Sequence, residues 1–248
     1  MRLSIFIASL FISPMLFAET AAWDKWRIDL EIGAAWADHN EVQIPNDDQG
    51  DRFDIAEFGK GPYPVARASV SWRPWQRPVF QFVVAPLSYT ETGTFDEPVR
   101  FAGRTYNDDQ NTDVDYQFNS YRLRYLYQLV DNSRWDLELG GTLFVRDARI
   151  ELSQGDTRSS DSNVGLVPLF ALRTRYHFNP AWSLERDRDM AWAPQGRAID
   201  LSLLVQRRFS SGWDIAAGYR TIEGGADNDS VYTFAWFNAV VVRAGYQW

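Results

Sequence analysis

The chain has 248 residues, a net charge of −8 and no cysteine. The lack of cysteine excludes disulfides, thiolate metal sites and a lipid-modified N-terminal cysteine. The acidic balance argues against a nucleic-acid partner.

Residues 1–18, MRLSIFIASLFISPMLFA, resemble a secretory signal peptide. Arg2 is the basic start, Ile5 to Phe17 the apolar core and Ala18 the last residue before cleavage. That core is too short for a membrane helix, which needs about 20 apolar residues, and no other long apolar run follows. Residues 19–248 read as a single domain, with no linker or low-complexity segment. Losing Arg2 takes the net charge to −9. Lys25 and Lys60 are the only lysines. Every other basic residue is arginine, whose planar fork suits paired, partly buried networks.

The first mature segment alternates strictly. Trp26, Ile28, Leu30, Ile32, Ala34 and Trp36 share one parity; Arg27, Asp29, Glu31 and Gly33 share the other. Period 2 is the mark of a strand. The length matches the 9–11 residues of a tilted membrane strand, with a tryptophan at each end. Further along, a tight turn, a tryptophan and renewed alternation recur around Trp135, Trp182 and Trp213. In Arg73–Pro86 the tryptophan sits inside the turn. The strands preceding these turns finish on aromatics such as Trp72, Tyr127, Tyr176 and Phe209. The connections at the other end are longer and polar: His39–Tyr63, Gly93–Asp113, Ser153–Asn163 and Glu223–Asp229. Pro86 and Pro168 fall inside strand-like stretches, where proline removes a ladder bond.

The last stretch, Val231–Trp248, places Tyr232, Phe234, Trp236, Val240, Val242, Tyr246 and Trp248 on one parity. An aromatic–aliphatic–aromatic stripe fits a lipid-facing strand with rings at both interfaces. Trp26, Trp36, Trp72, Trp135, Trp182, Trp213, Tyr246 and Trp248 are the expected membrane-interface aromatics. This terminal strand, the signal peptide and the tryptophan-started hairpins resemble the bacterial outer-membrane β-barrel superfamily of small 8–10-stranded barrels. The resemblance implies an all-β fold, a closed antiparallel transmembrane barrel in the Gram-negative outer membrane. It also implies short periplasmic turns and long acidic extracellular loops against lipopolysaccharide. The assembly machinery would recognise the C-terminal aromatic strand, and the barrel is expected to be monomeric.

If the chain starts outward at Trp26 and ends inward at Trp248, the strand number must be even. Strands near 26–36, 64–73, 79–91, 116–129, 135–151, 164–178, 198–209, 213–222 and 231–248 make nine. Trp182–Ala193 supplies the tenth, although Arg186 and Arg188 then share the parity of Trp182 and Trp192. A bulge turning those arginines inward would resolve the conflict. Eight strands is the alternative.

The inward parity collects Arg27, Arg67, Arg122, Arg124, Arg146, Arg173, Arg175, Arg220 and Arg243, with the acids Asp29, Glu31, Asp136, Glu138, Asp200 and Asp214. His177 shares it. Eight to ten strands enclose an interior that side chains largely fill, so ion pairs across the lumen are expected. This favours a non-enzymatic barrel with a filled polar lumen and exposed loops. One alternative is a narrow porin-like path for small anions. Another is a lipid A-modifying acyl hydrolase or acyltransferase around His39 at the outer rim, with Ser88 or Ser162 as its partner. Omptin-type proteases pair acids with an aspartate two before a histidine. Asp187 and Asp189 supply the first half here, but the chain has no Asp-x-His. The acidic stretches Asn46–Asp51 and Asn107–Asp109 lack the spacing of a calcium loop, so neither a metal nor a cofactor is expected.

Overall fold

The computed structural model describes residues 25–248; the expected signal peptide lies outside the described residues. The described chain is built almost wholly of strands. In order these are β1 (Trp26–Gln43), β2 (Phe53–Asp54), β3 (Tyr63–Trp72), β4 (Pro78–Ala85), β5 (Ser88–Gly93), β6 (Val99–Phe101) and β7 (Arg104–Tyr106). The longer strands follow: β8 (Thr112–Asp131), β9 (Trp135–Gln154), β10 (Thr157–His177), β11 (Trp182–Ala193), β12 (Gly196–Arg208), β13 (Trp213–Asp227) and β14 (Tyr232–Gln247).

Each long strand pairs antiparallel with its sequence neighbours, and β14 returns to β1 over Arg27↔Gln247 to Gln43↔Tyr232. Closure leaves no free sheet edge at the tight-turn end of the ring. Taking β4 and β5 as one interrupted crossing, ten strands form the barrel. The expected tenth, Trp182–Ala193, is β11 and pairs with β10 and β12.

Side chains obey the period of the strand. Along β1, Arg27, Asp29 and Glu31 are buried while Ile28, Leu30 and Ile32 are exposed on the outside. Burial is therefore polar inside and apolar outside, the inverse of a soluble sheet and the expected pattern of a membrane barrel. Aromatics gather on the outer face at the end of tight turns. Trp26 stacks on Trp72 at 5.9 Å, Trp213 lies 4.9 Å from Tyr246 and Trp135 lies 4.7 Å from Tyr176. Trp36, Trp182 and Trp248 are also exposed on the outside.

Three sequence-based expectations need correction. The first concerns loops: Ser153–Asn163 is not a loop, because β9 and β10 run on to a turn at Gln154–Thr157. Backbone ladders form whatever the side chains are, and polar pairs such as Arg158 with Glu151 at 3.2 Å support this one. Likewise β13 extends through the Gly-rich stretch to Asp227. Second, β11 carries no bulge; its register is unbroken on both sides. Arg186 and Arg188 stay on the outward parity, and Glu185, Asp187 and Asp189 face inward instead. Third, the one bulge in β1 falls between Ala37 and His39. It reverses the parity of the strand beyond it.

At the other end the long connections fold into a cap. Val42, Phe53, Ile55, Phe95, Val99, Phe101, Tyr106 and Leu152 form one apolar cluster over the barrel mouth. The β6–β7 hairpin is tied down by Tyr106, whose hydroxyl donates to the Leu152 carbonyl at 3.0 Å. Arg100 grips Asp51 through Nε at 3.0 Å and Nη2 at 2.6 Å.

The height of the wall is uneven. The β10–β11 register stops at Phe170↔Met190, though β10 continues to Thr157. Pro168 lies just past that point and has no N–H to donate to a neighbour. On the opposite side, the β3–β4 register stops at Ala68↔Val84, and Pro86 breaks the strand between β4 and β5. Both prolines that stood out in the sequence mark places where adjacent strands separate.

Candidate functional site: a sealed lumen beneath an apolar chamber

The lower lumen is a lattice of ion pairs. From β13, Arg220 Nε donates to Glu31 Oε1 at 2.9 Å and Nη1 to Asp200 Oδ1 at 2.5 Å. Asp200 also accepts from Arg67 at 3.0 Å and lies 2.7 Å from Arg122. Arg122 reaches on to Asp189 at 2.8 Å, and Arg124 spans Asp189 at 3.1 Å and Asp187 at 2.6 Å. Arg173 then links Asp187 at 3.2 Å to Glu138 at 3.1 Å.

A second branch runs nearer the tight turns. Arg27 pairs with Asp29 and Asp214, each at 2.5 Å. Arg243 holds Glu185 at 2.6 Å, which Arg175 meets at 2.6 Å on its way to Asp136 at 3.0 Å. His177 Nε2 closes the branch, 3.1 Å from Asp136.

Opposite charges buried this closely offset their desolvation only when every partner is present. Eight of the nine expected lumen arginines have a carboxylate partner; the exception is Arg146. Its Nη2 donates to Asn163 Oδ1 at 2.7 Å, and its Nε is buried without a partner. All six expected acids and His177 join the lattice.

The inward set read from the sequence lacks Glu185, Asp187 and Asp189, which carry the centre of the lattice. Strict alternation of β11 was the signal for them. Arg73 was also missed: it precedes the turn after β3, yet its Nη2 lies 3.2 Å from Glu138 and it donates to Gln128. Gln81 was a further omission, accepting from Arg124 at 2.9 Å and Arg173 at 2.8 Å. A void within this lattice measures about 30 Å³, room for about two water molecules.

Above the lattice the character changes. A cavity of about 490 Å³ opens between the ion pairs and the cap, walled chiefly by alanine, valine, leucine and phenylalanine. Close packing normally leaves no such space in a protein interior.

The rim candidate His39 lies near the cap end of β1. Past the bulge at Asp38, His39 turns to the outer face. Its ring meets Trp236 edge-on at 6.1 Å and its Nδ1 lies 3.8 Å from Asp38. Neither Ser88 nor Ser162 is among its contacts. Asp187 and Asp189, the acids of the omptin-like pattern, are engaged by arginines in the lattice.

No protein-family model matches the sequence, and no curated protein matches it. Solved structures do resemble the fold. The outer-membrane protease OmpT from Escherichia coli matches with a TM-score of 0.55 at 9% identity, over 93% of this chain and 99% of that one. Ail, the attachment invasion locus protein of Yersinia pestis, matches with a TM-score of 0.44 at 11% identity, over 90% of this chain and 99% of that one. Identities this low speak for fold alone. In its closed antiparallel ring and its apolar outer face, the chain has the β-barrel fold that the OmpT structure shares.

Proposed function

We propose that the protein is a non-conducting, non-enzymatic barrel of the Gram-negative outer membrane, in which a barrel with a filled lower lumen carries a folded cap at the cell surface. The tight-turn end faces the periplasm and the capped end faces lipopolysaccharide. The observation that carries this reading is the unbroken lattice of ion pairs from Glu31 to Glu138, which fills the lower lumen with paired side chains.

Conduction of anions needs arginines free to meet them. Here the arginines of the lower lumen are neutralised by Asp29, Glu31, Asp136, Glu138, Glu185, Asp187, Asp189, Asp200 and Asp214. Acyl transfer or hydrolysis at His39 needs a nucleophile within hydrogen-bond reach, and among the described residues its ring meets Trp236 and Asp38, neither of them a hydroxyl or thiol. The cap, by contrast, is ordered by apolar packing and by the Arg100–Asp51 grip, as a presented surface requires.

Two measurements on one strain pair test the reading. Proteoliposomes should not swell in isotonic sugars or small anions, and lipid A mass spectra should be identical with and without the protein. Swelling would restore the channel alternative; a changed lipid A profile would restore the enzyme.

A further inference from the structure

The chamber above the lattice reaches through the barrel wall. On β10, odd positions face inward and even positions outward, yet Leu166 and Pro168 line the cavity together with Val167 and Leu169. On β11, outward-facing Trp192 lines it as well. Leu166 is 65% and Trp192 79% exposed. One cavity touching both faces of a wall means that the wall is parted there. The parting is the stretch where β10 has run past the last β11 pair, Phe170↔Met190.

The location of the opening selects what enters. It lies beyond the midpoint of β11, toward the cap, among exposed apolar side chains that face the surrounding leaflet. Beside it sits Arg146, over Gly165, whose missing side chain leaves the guanidinium its place. Arg146 is the one cavity-lining arginine of the expected lumen set without a carboxylate. A half-buried guanidinium without a carboxylate partner leaves N–H donors for an anion.

We propose that the chamber binds one acyl chain of an anionic lipid from the cap-side leaflet. The chain enters sideways between β10 and β11 and the headgroup rests on Arg146. This rests on the membrane-spanning orientation given above. A volume of about 490 Å³ is within the range of ligand pockets. Each methylene taken from water gains about 0.8 kcal/mol, but a chain leaving lipid gains little from hydrophobicity, so Arg146 supplies the selectivity. The cavity also touches Ala66 and Pro86 at the parting of β3 and β4. That second gap is closed toward the cap by the stacked rings of Tyr63 and Tyr89, 3.8 Å apart, so it is not the entrance.

The test uses the mature barrel in vesicles containing phosphatidylglycerol with a diazirine near the end of one chain, and a parallel set with neutral diacylglycerol bearing the same chain. After illumination, cross-links are expected on Ala35, Ala239 and Val241, which face the chamber and are buried. Cross-links confined to outward residues such as Ile32 and Leu203 would overturn the chamber assignment. Ala35→Phe should fill the space and lower chamber cross-linking about tenfold. Arg146→Gln should lower it about tenfold for phosphatidylglycerol only, the worth of one hydrogen bond to a charge. Equal loss with both probes would overturn the role of Arg146. Val167→Trp should block entry while Ala66→Trp leaves it unchanged; the reverse would overturn the entrance. Heat-modifiable migration confirms that each variant is folded. The readout is independent of solute flux, so an empty chamber and an open lumen are told apart.

Discussion

Arg220 on β13 donates to Asp200 on the neighbouring β12 at 2.5 Å, and that carboxylate is also shared by Arg67 and Arg122 from across the barrel. One acid thus holds three buried cations together. Removing it leaves charges that Glu31 and Asp189 only partly compensate. Asp200→Ala should cost about 3–5 kcal/mol, the usual penalty for breaking a buried pair from one side. The folded-to-unfolded midpoint in urea, read by heat-modifiable mobility, measures this. A change under 1 kcal/mol would mean that water already screens the lattice.

The outward arginines of β11 invite the opposite experiment. Arg186 lies between Thr174 of β10 and Leu203 of β12, and Arg188 between Leu172 and Leu201. A cation on the lipid face near the midplane costs about 2–4 kcal/mol. Arg186→Leu and Arg188→Leu should each stabilise the barrel in bilayers by a sizeable part of that figure. Destabilisation by either one would show that the arginine has a partner in the membrane.

Gly245 of β14 faces the Arg27–Asp214 pair. A methyl group there would run into Arg27, Asp29 and Asp214. Gly245→Val should break this branch, destabilising the protein by about 2–4 kcal/mol, whereas Gly141→Ala, whose methyl would meet only the Leu169 carbonyl at 3.6 Å, should cost far less. Urea midpoints of the two variants side by side check the contrast.

The cap should respond to acid before the barrel does. The hydrogen bonds from Arg100 hold the Asp51 carboxyl below its usual range. A depressed carboxylate contributes stability above its unfolded value, about 3.9, and loses it as pH falls through the folded value. Proteolytic nicking near the β6–β7 hairpin, compared at pH 7 and pH 3 with an acid-active protease, should rise in acid. Asp51→Asn should show the raised nicking already at pH 7.

How far the sequence revealed this molecule depends on what strict alternation can show. The inward set from Arg27 to Arg243 followed from parity, because a sheet has only two faces and one must avoid lipid. Glu185, Asp187 and Asp189 obey the same rule. They are hidden because the same alternation leaves Arg186 and Arg188 facing lipid, a cost that a bulge would avoid. The true bulge at Asp38 turned His39 away from the lumen and has no mark in local sequence. In sequence the cap has only the look of polar loops, since Phe53, Val99 and Tyr106 are too far apart to show that they pack together. Pro86 and Pro168 were visible as ladder breakers. That both border one cavity required the registers of β3–β4 and β10–β11.

The central claim is that the lattice between Glu31 and Glu138 closes the barrel. Planar-bilayer recording of the purified, heat-modifiable protein tests it most directly. In salt at either polarity, silence is predicted for protein shown by cross-linking or turbidity to have inserted. Reproducible unit conductance steps with anion selectivity would contradict the account.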